Sequence, residues 1–106
     1  MKQYEIVLVN LEPTVGIEIR KIRPCAIVSP FEMNKYLKTI VIAPLTTNLR
    51  KIPSRAEVFH DGKHGMIAID QIRTIDKSRV IKSKGKLSKK EIADVKQIIQ
   101  TAFVDE

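Results

Sequence analysis

A chain of 106 residues, 43% of them hydrophobic, holds enough material for one domain with one core. Lys and Arg number 19 against 12 Asp and Glu, and the net charge of +7 suits either a polyanionic partner or plain solubility. The single cysteine, Cys25, excludes an internal disulfide, two histidines beside it make no recognisable zinc site, and 5% aromatics with no Trp argue against a grip on nucleic acid built from stacked rings. Met1-Lys2-Gln3-Tyr4-Glu5 lacks the apolar core of a signal peptide, and no apolar run reaches membrane-spanning length, so a soluble cytoplasmic protein is expected.

In chain order, Tyr4 to Leu11 is β-branched and apolar and predicts a strand. Pro13 and Gly16 end it, and a charged loop from Val15 to Ile22 follows. Arg23 to Ser29 reads as a buried strand. The segment from Pro30 to Leu37 predicts a short helix with Ser29 as N-cap and Pro30 at its first position. Phe31, Met33 and Leu37 would lid the core from it, with exposure the other reading for Met33. Lys38 to Leu45 is the most hydrophobic strand, and Pro44 suggests an end or an edge there.

Beyond a polar loop from Thr47 to Pro53, Ser54 to Asp61 alternates as a strand, which Asp61-Gly62-Lys63-His64-Gly65 turns back as a hairpin. Met66 to Ile72 continues it, and a short strand is expected near Arg79 to Lys82. Ser88-Lys89-Lys90-Glu91 is a capping box, with Ile92, Val95, Ile98, Ile99, Ala102 and Phe103 forming one apolar stripe on a C-terminal helix. The architecture is a small, strongly bent antiparallel sheet with a terminal helix.

Candidate chemistry starts with Arg23, ahead of an apolar strand and stiffened by Pro24. A guanidinium there forks onto anionic oxygens, or is simply a surface arginine. Thr46 and Thr47 close another apolar strand, as phosphate or ribose donors or as a polar terminus. Glu18 is the nearest carboxylate in sequence, a general base or a solvated acid; a base is needed, because arginine is a poor proton acceptor at neutral pH. Across Asp70 to Asp76, alternation puts Asp70, Ile72 and Thr74 on one face and Gln71 and Arg73 on the other, for direct chemistry or for an Asp-to-Arg ion pair that shapes a turn. His60 in a strand and His64 in a Gly-flanked turn show no positioned partner and read as surface or turn residues. Lys77, Arg79, Lys82, Lys84, Lys86, Lys89 and Lys90 form a basic run without an intervening acid, either a solvated face or a stripe tracking phosphates.

Taken in order, these signals resemble the MazF/PemK family, the toxin half of bacterial toxin–antitoxin pairs. Glu12-Pro13-Thr14-Val15-Gly16-Ile17-Glu18 is similar to the family's opening, Arg23-Pro24 to its RP motif, Pro44-Leu45-Thr46-Thr47 to its strand end, and Asp70-Gln71-Ile72-Arg73-Thr74-Ile75-Asp76 to its DQIRTID segment. The likeness runs across essentially the whole chain. It implies one toxin domain over residues 1–106, an SH3-like small β-barrel of the CcdB/MazF/PemK type, with helices near 30–36 and 89–103. It implies a homodimeric endoribonuclease acting on single-stranded RNA without metal or other cofactor, and a cognate antitoxin with an acidic tail. The 2′-OH would attack the adjacent phosphate, leaving a 2′,3′-cyclic phosphate and a 5′-OH.

Carried onto this chain, Arg23 stabilises the developing charge and is a candidate to protonate the leaving oxygen, Thr46 holds the phosphate or the 2′-OH, and Glu18, ahead of Asp70, is the base. Arg20, Lys21, Thr47, Arg50, Lys51, Gln71, Arg73, Lys77 and Arg79 contact RNA. Ile17 and Ala68 stand where some members carry histidine and arginine, so no mechanism uses those two positions. The alternatives are a non-catalytic toxin of the same fold that inhibits a protein such as DNA gyrase, or an RNA-binding module without cleavage.

Overall fold

The computed structural model describes residues 1–12 and 22–105. The predicted turn at Pro13–Gly16, together with Glu18, Arg20 and Lys21, lies outside the described residues. The chain runs β1 (Glu5–Asn10), β2 (Ile22–Ile27), α1 (Phe31–Tyr36), β3 (Thr39–Thr46), β4 (Arg55–His60), β5 (Lys63–Ala68), β6 (Arg73–Asp76), β7 (Val80–Lys86) and α2 (Lys89–Ile99). Antiparallel pairing orders the strands β4-β5-β3-β2-β1-β7, and β6 adds to the first half of β3. The result is a bent, half-barrel sheet with a C-terminal helix.

The long apolar runs are explained by burial on both faces of the central strands. Alternation sends Ile6, Ala26, Val28, Ala43 and Leu45 into one cluster, which Val95 of α2 completes, and Val7, Val9, Cys25, Ile27, Ile40 and Ile42 into a second. Pro44 is neither at an edge nor at a strand end. It is buried inside β3 opposite Cys25, at the point where β3 leaves β2 and begins to pair with β5 at Leu45. Cys25 is fully buried, and burial pushes its thiol up to about 12 against the opposing charges of Arg73 and Arg23, so it is inert.

Several local expectations change. Ser29 does not cap α1; Pro30 holds the cap position with extended backbone and no side-chain bond. Ser29 instead gives its hydroxyl proton to Asn34 Oδ1 and accepts from Val41 N–H at 3.0 Å. Asn34 is the residue α1 buries, its amide donating to the carbonyls of Met1 and Ser29, while Phe31, Met33 and Leu37 are all exposed. The strand expected through Ile72 stops at Ala68, because Ile69–Gln71 forms a 3₁₀ turn closed by Ile72 N–H on Ile69 O at 3.2 Å. That turn cancels the alternation read across Asp70 to Arg73, and β6 begins only at Arg73.

The last strand is longer than expected, covering Val80–Lys86 along the outer edge of β1. In α2 the capping box forms as read: Ser88 Oγ accepts from Glu91 N–H and Glu91 Oε1 from Ser88 N–H. Glu91 Oε2 also accepts from Phe59 N–H at 2.8 Å, fastening the helix start to β4. Ile92, Ile98 and Ile99 pack on the core, but Phe103 is exposed, because Gln100–Val104 leaves α2 in a wider π-type turn. Among the described residues no helix is long and apolar enough to cross a membrane.

Candidate active site

The mouth of the site is made by two strand ends. Arg23 lies in β2 opposite Val9, half-buried, with its carbonyl accepting from the Cys25 thiol at 3.6 Å. Thr46 ends β3, also half-buried, and its hydroxyl oxygen accepts from Asn48 N–H at 3.1 Å. That bond occupies a lone pair and leaves the O–H proton to be donated. Asn48 Oδ1 in turn accepts from Arg50 N–H at 3.0 Å, so the loop after β3 is held by its own side chains.

The hairpin of β4 and β5 supplies the opposite wall. Its turn has two residues, Asp61 at φ 52° and Gly62 at φ 70°, the left-handed pair that matches strand twist. Lys63, His64 and Gly65 therefore belong to β5 instead of a longer turn, and Val58 faces Gly65 while His60 faces Lys63. Gly65 lets the hairpin close against β3: a Cβ at that position would lie 2.9 Å from the Thr46 carbonyl oxygen.

Together these elements enclose a pocket of about 190 Å³. Its apolar lining comes from Pro24, Leu45 and Val58, and its polar lining from Arg23, Thr46 and Thr47 at the strand ends and from His60, Asp61, Lys63 and His64 of the hairpin. Arg23, Thr46 and Thr47, distant in sequence, are thus brought to one cavity. His60 is missing from the sequence-based site. The signal for it lay in Asp61-Gly62, whose two-residue turn fixes which hairpin residues share a face.

His60 has a side chain only 12% exposed, and its Nε2 lies 3.6 Å from Asp61 Oδ2 without a hydrogen-bond partner. Asp61 is in turn 3.3 Å from Lys84 Nζ, and the Lys84 bond, then the His60 charge, hold its carboxyl below the ordinary range. His64 stands on the other face of the hairpin, stacked on Phe59 with ring centroids 4.8 Å apart and 3.3 Å from Glu57 Oε2.

The remaining candidates lie away from this cavity. Asp70 is gripped by both arms of the Arg55 fork at 3.0 and 3.1 Å and by Ser54 Oγ at 3.1 Å. Partial desolvation acts to raise its carboxyl, but Arg55 and Ser54 outweigh it and the net shift is downward. Arg73 donates to Leu11 O at 3.4 Å, and Arg79 donates to Asn10 O at 3.3 Å and to Glu12 O. Both guanidiniums therefore clasp the chain where β1 ends. Gln71 sits in the 3₁₀ turn, half-buried, and Lys77 opens another, its N–H on Lys38 O at 2.9 Å. Arg50 and Lys51 are exposed in the loop before β4, with Lys51 4.0 Å from Glu57. In the basic run, Lys84 pairs with Asp61 and Lys90 with Asp94 at 2.8 Å, so part of its charge is already neutralised. Among the described residues no group of three or more His, Cys, Asp or Glu could hold a metal ion.

A model of the PemK-like, MazF-like toxins of type II toxin–antitoxin systems matches residues 2–103. The chain belongs to this family. It is similar to the endoribonuclease MazF of Staphylococcus saprophyticus, at 33% identity over 97% of this chain and 91% of the relative. The endoribonuclease MazF of Staphylococcus epidermidis is 31% identical over 90% of this chain and 84% of that protein. A crystal structure of MazF from Deinococcus radiodurans shares the fold, with a TM-score of 0.84 over 95% of this chain and 94% of that one at 21% identity. An endoribonuclease in complex with its cognate antitoxin, from a mycobacterial species, superposes with a TM-score of 0.81 over 96% of this chain and 93% of that one at 20% identity. Within this family fold, the Arg23–Thr46 pocket lies between the β2–β3 mouth and the β4–β5 hairpin.

Proposed function

We propose that this toxin is an endoribonuclease that cuts single-stranded RNA at a short sequence and so arrests translation and growth in the cytoplasm. The observation that carries the reading is the convergence of Arg23 and Thr46 on one partly apolar pocket. A phosphodiester entering that pocket is met by a guanidinium that stays charged and by a hydroxyl that accepts one bond from Asn48 N–H and has its proton to donate. The 2′-oxygen attacks the adjacent phosphorus, charge grows on the non-bridging oxygens, and Arg23 with Thr46 stabilises it there. The 5′-oxygen departs, leaving a 2′,3′-cyclic phosphate.

Glu18 is the proposed acceptor of the 2′-OH proton. Asp70 is the poorer acceptor, since Arg55 and Ser54 stabilise its charged form and reduce its basicity. Arg20, Lys21, Thr47, Arg50 and Lys51 would track the strand at the mouth, and Gln71, Arg73, Lys77 and Arg79 would act from the end of β1. The toxin works as a homodimer, and a cognate antitoxin with an acidic tail covers the basic groove, in keeping with the net charge of +7.

The test is purified protein on a long unstructured RNA in EDTA, with 5′ ends mapped, beside Arg23→Ala. Discrete cuts at one short sequence, lost in the variant with the fold retained, are expected. Binding without cutting by either protein would overturn the reading in favour of an inhibitor or a binding module.

A further inference from the structure

Cleavage by 2′-oxygen attack leaves an alkoxide unless the departing 5′-oxygen receives a proton. Neither group at the mouth of the pocket provides one well: the Arg23 guanidinium does not give up a proton at working pH, and the Thr46 hydroxyl is a far weaker acid still. Lys63 lines the same pocket, but an ammonium is too weak an acid for efficient proton transfer near neutrality. His60 is different in kind, because imidazole gains and loses a proton in that range.

We propose that His60 is the general acid of the reaction, protonating the 5′-oxygen as the P–O5′ bond breaks, and that Asp61 positions it. This rests on the ribonuclease reading above. The ring is held in the pocket wall on the face of the hairpin shared with Val58 and Gly65. Its Nε2 is sealed from solvent and makes no hydrogen bond, a costly arrangement that His64 Nε2 shares; what sets His60 apart is a ring on the pocket face of the hairpin, in the lining that Arg23 and Thr46 also form.

Asp61 Oδ2 lies 3.6 Å from that nitrogen, and Lys84 at 3.3 Å fixes the carboxylate. The charged groups around the ring are therefore Arg23 from β2, Asp61 and Lys63 from the turn and β5, and Lys84 from β7. His64 also lines the pocket, but its ring stacks on Phe59 and its Nε2 lies 3.3 Å from Glu57 Oε2, on the hairpin's other face. In the step itself, the 2′-oxygen loses its proton to the base and bonds to phosphorus. The P–O5′ electron pair leaves on oxygen, and the imidazolium proton passes to that oxygen from Nδ1, since Nε2 is sealed against Asp61. Solvent then reprotonates Nδ1, and no water is consumed.

The experiment pairs two RNA oligonucleotides spanning the mapped cut, one ordinary and one with sulfur replacing the bridging 5′-oxygen. A thiolate leaves without a proton, so the sulfur linkage bypasses a general acid. His60→Asn is expected to slow ordinary RNA by about 10²- to 10⁴-fold yet to cut the sulfur linkage within about tenfold of the parent. Arg23→Ala should be slow on both. The parent's rate should fall on the alkaline side as His60 loses its proton, and that limb should vanish in His60→Asn and move in Asp61→Asn.

Equal slowing of both linkages by His60→Asn, or no slowing of ordinary RNA, would overturn the assignment while leaving the ribonuclease reading standing. Should the parent cut neither oligonucleotide, the ribonuclease reading falls and this one with it. If neither His60→Asn nor His60→Gln folds by circular dichroism, Asp61→Asn decides: an alkaline limb that does not move refutes the proposal.

Discussion

Gly65→Ala tests whether the pocket is held to a fraction of an ångström by the approach of β5 to β3. The added Cβ would sit 2.9 Å from Thr46 O and 3.7 Å from Val58 Cγ1, whereas ordinary contact begins at 3.4 Å. The carbonyl is backbone in a paired strand and cannot swing aside as a side chain would, so β3 and β5 must part by roughly half an ångström. Overpacking of this kind costs about 1–3 kcal/mol. In a domain of this size each kcal/mol lowers Tm by about 4–8 °C. Because the displaced residue is Thr46, the loss should reach the chemistry as well. A misplacement of about 1 Å can cost a hundredfold, so half of that predicts roughly a tenfold slower single turnover.

Gly62→Ala is the control. It replaces a glycine that, unlike Gly65, is left-handed, at φ +70°, but its Cβ meets nothing within 4 Å. It should lower stability by about 1 kcal/mol and leave the cleavage rate nearly unchanged. Thermal melts by circular dichroism and a fluorogenic RNA read both quantities. A Gly65→Ala protein with parental Tm and parental rate would refute the reasoning.

Glu91→Ala removes acceptors for both Ser88 N–H and Phe59 N–H and should cost about 1–3 kcal/mol in urea denaturation. The Asp70 carboxyl is held below its ordinary value in the folded state, so its contribution is complete above the ordinary carboxylate range. That contribution is lost as pH falls below about 4. Asp70→Asn should therefore flatten the acid side of a stability–pH curve, a difference that disappears in strong acid. RNA affinity should fall steeply with salt, and Lys82→Ala should reduce the log–log slope by about 0.7, the single-strand value per contact. Lys90→Ala should leave that slope unchanged, since Asp94 already holds its charge.

Strand positions were legible because the apolar runs are long and β-branched, and the C-terminal helix because Ser88 and Glu91 write its cap into the sequence. What misled was local chemistry overridden by tertiary demand. Ser29 looks like an N-cap but is drawn away by Val41 N–H and Asn34. Asp70 to Arg73 alternates like a strand, yet the chain must turn there to carry β6 back onto β3. Arg23 and Thr46 could be singled out as residue types at strand mouths. His60 could not, because its meaning depends on the register of a hairpin and on how near Gly65 lets that hairpin come to β3.

The pairing of β1 with β7 fixes the order in which the toxin is completed. Residues 5–10 leave the ribosome well before residues 80–86, their outer neighbour, and Leu87 N–H must reach Tyr4 O at 2.9 Å to finish the join. Until then one edge of β1 stays open, and contacts this far apart in sequence form slowly. Lys84, the cation behind Asp61 and His60, arrives on that same late strand. A nascent toxin is thus without its finished pocket until residues 80–87 have been made, which gives a newly made antitoxin time to meet it before it can cut.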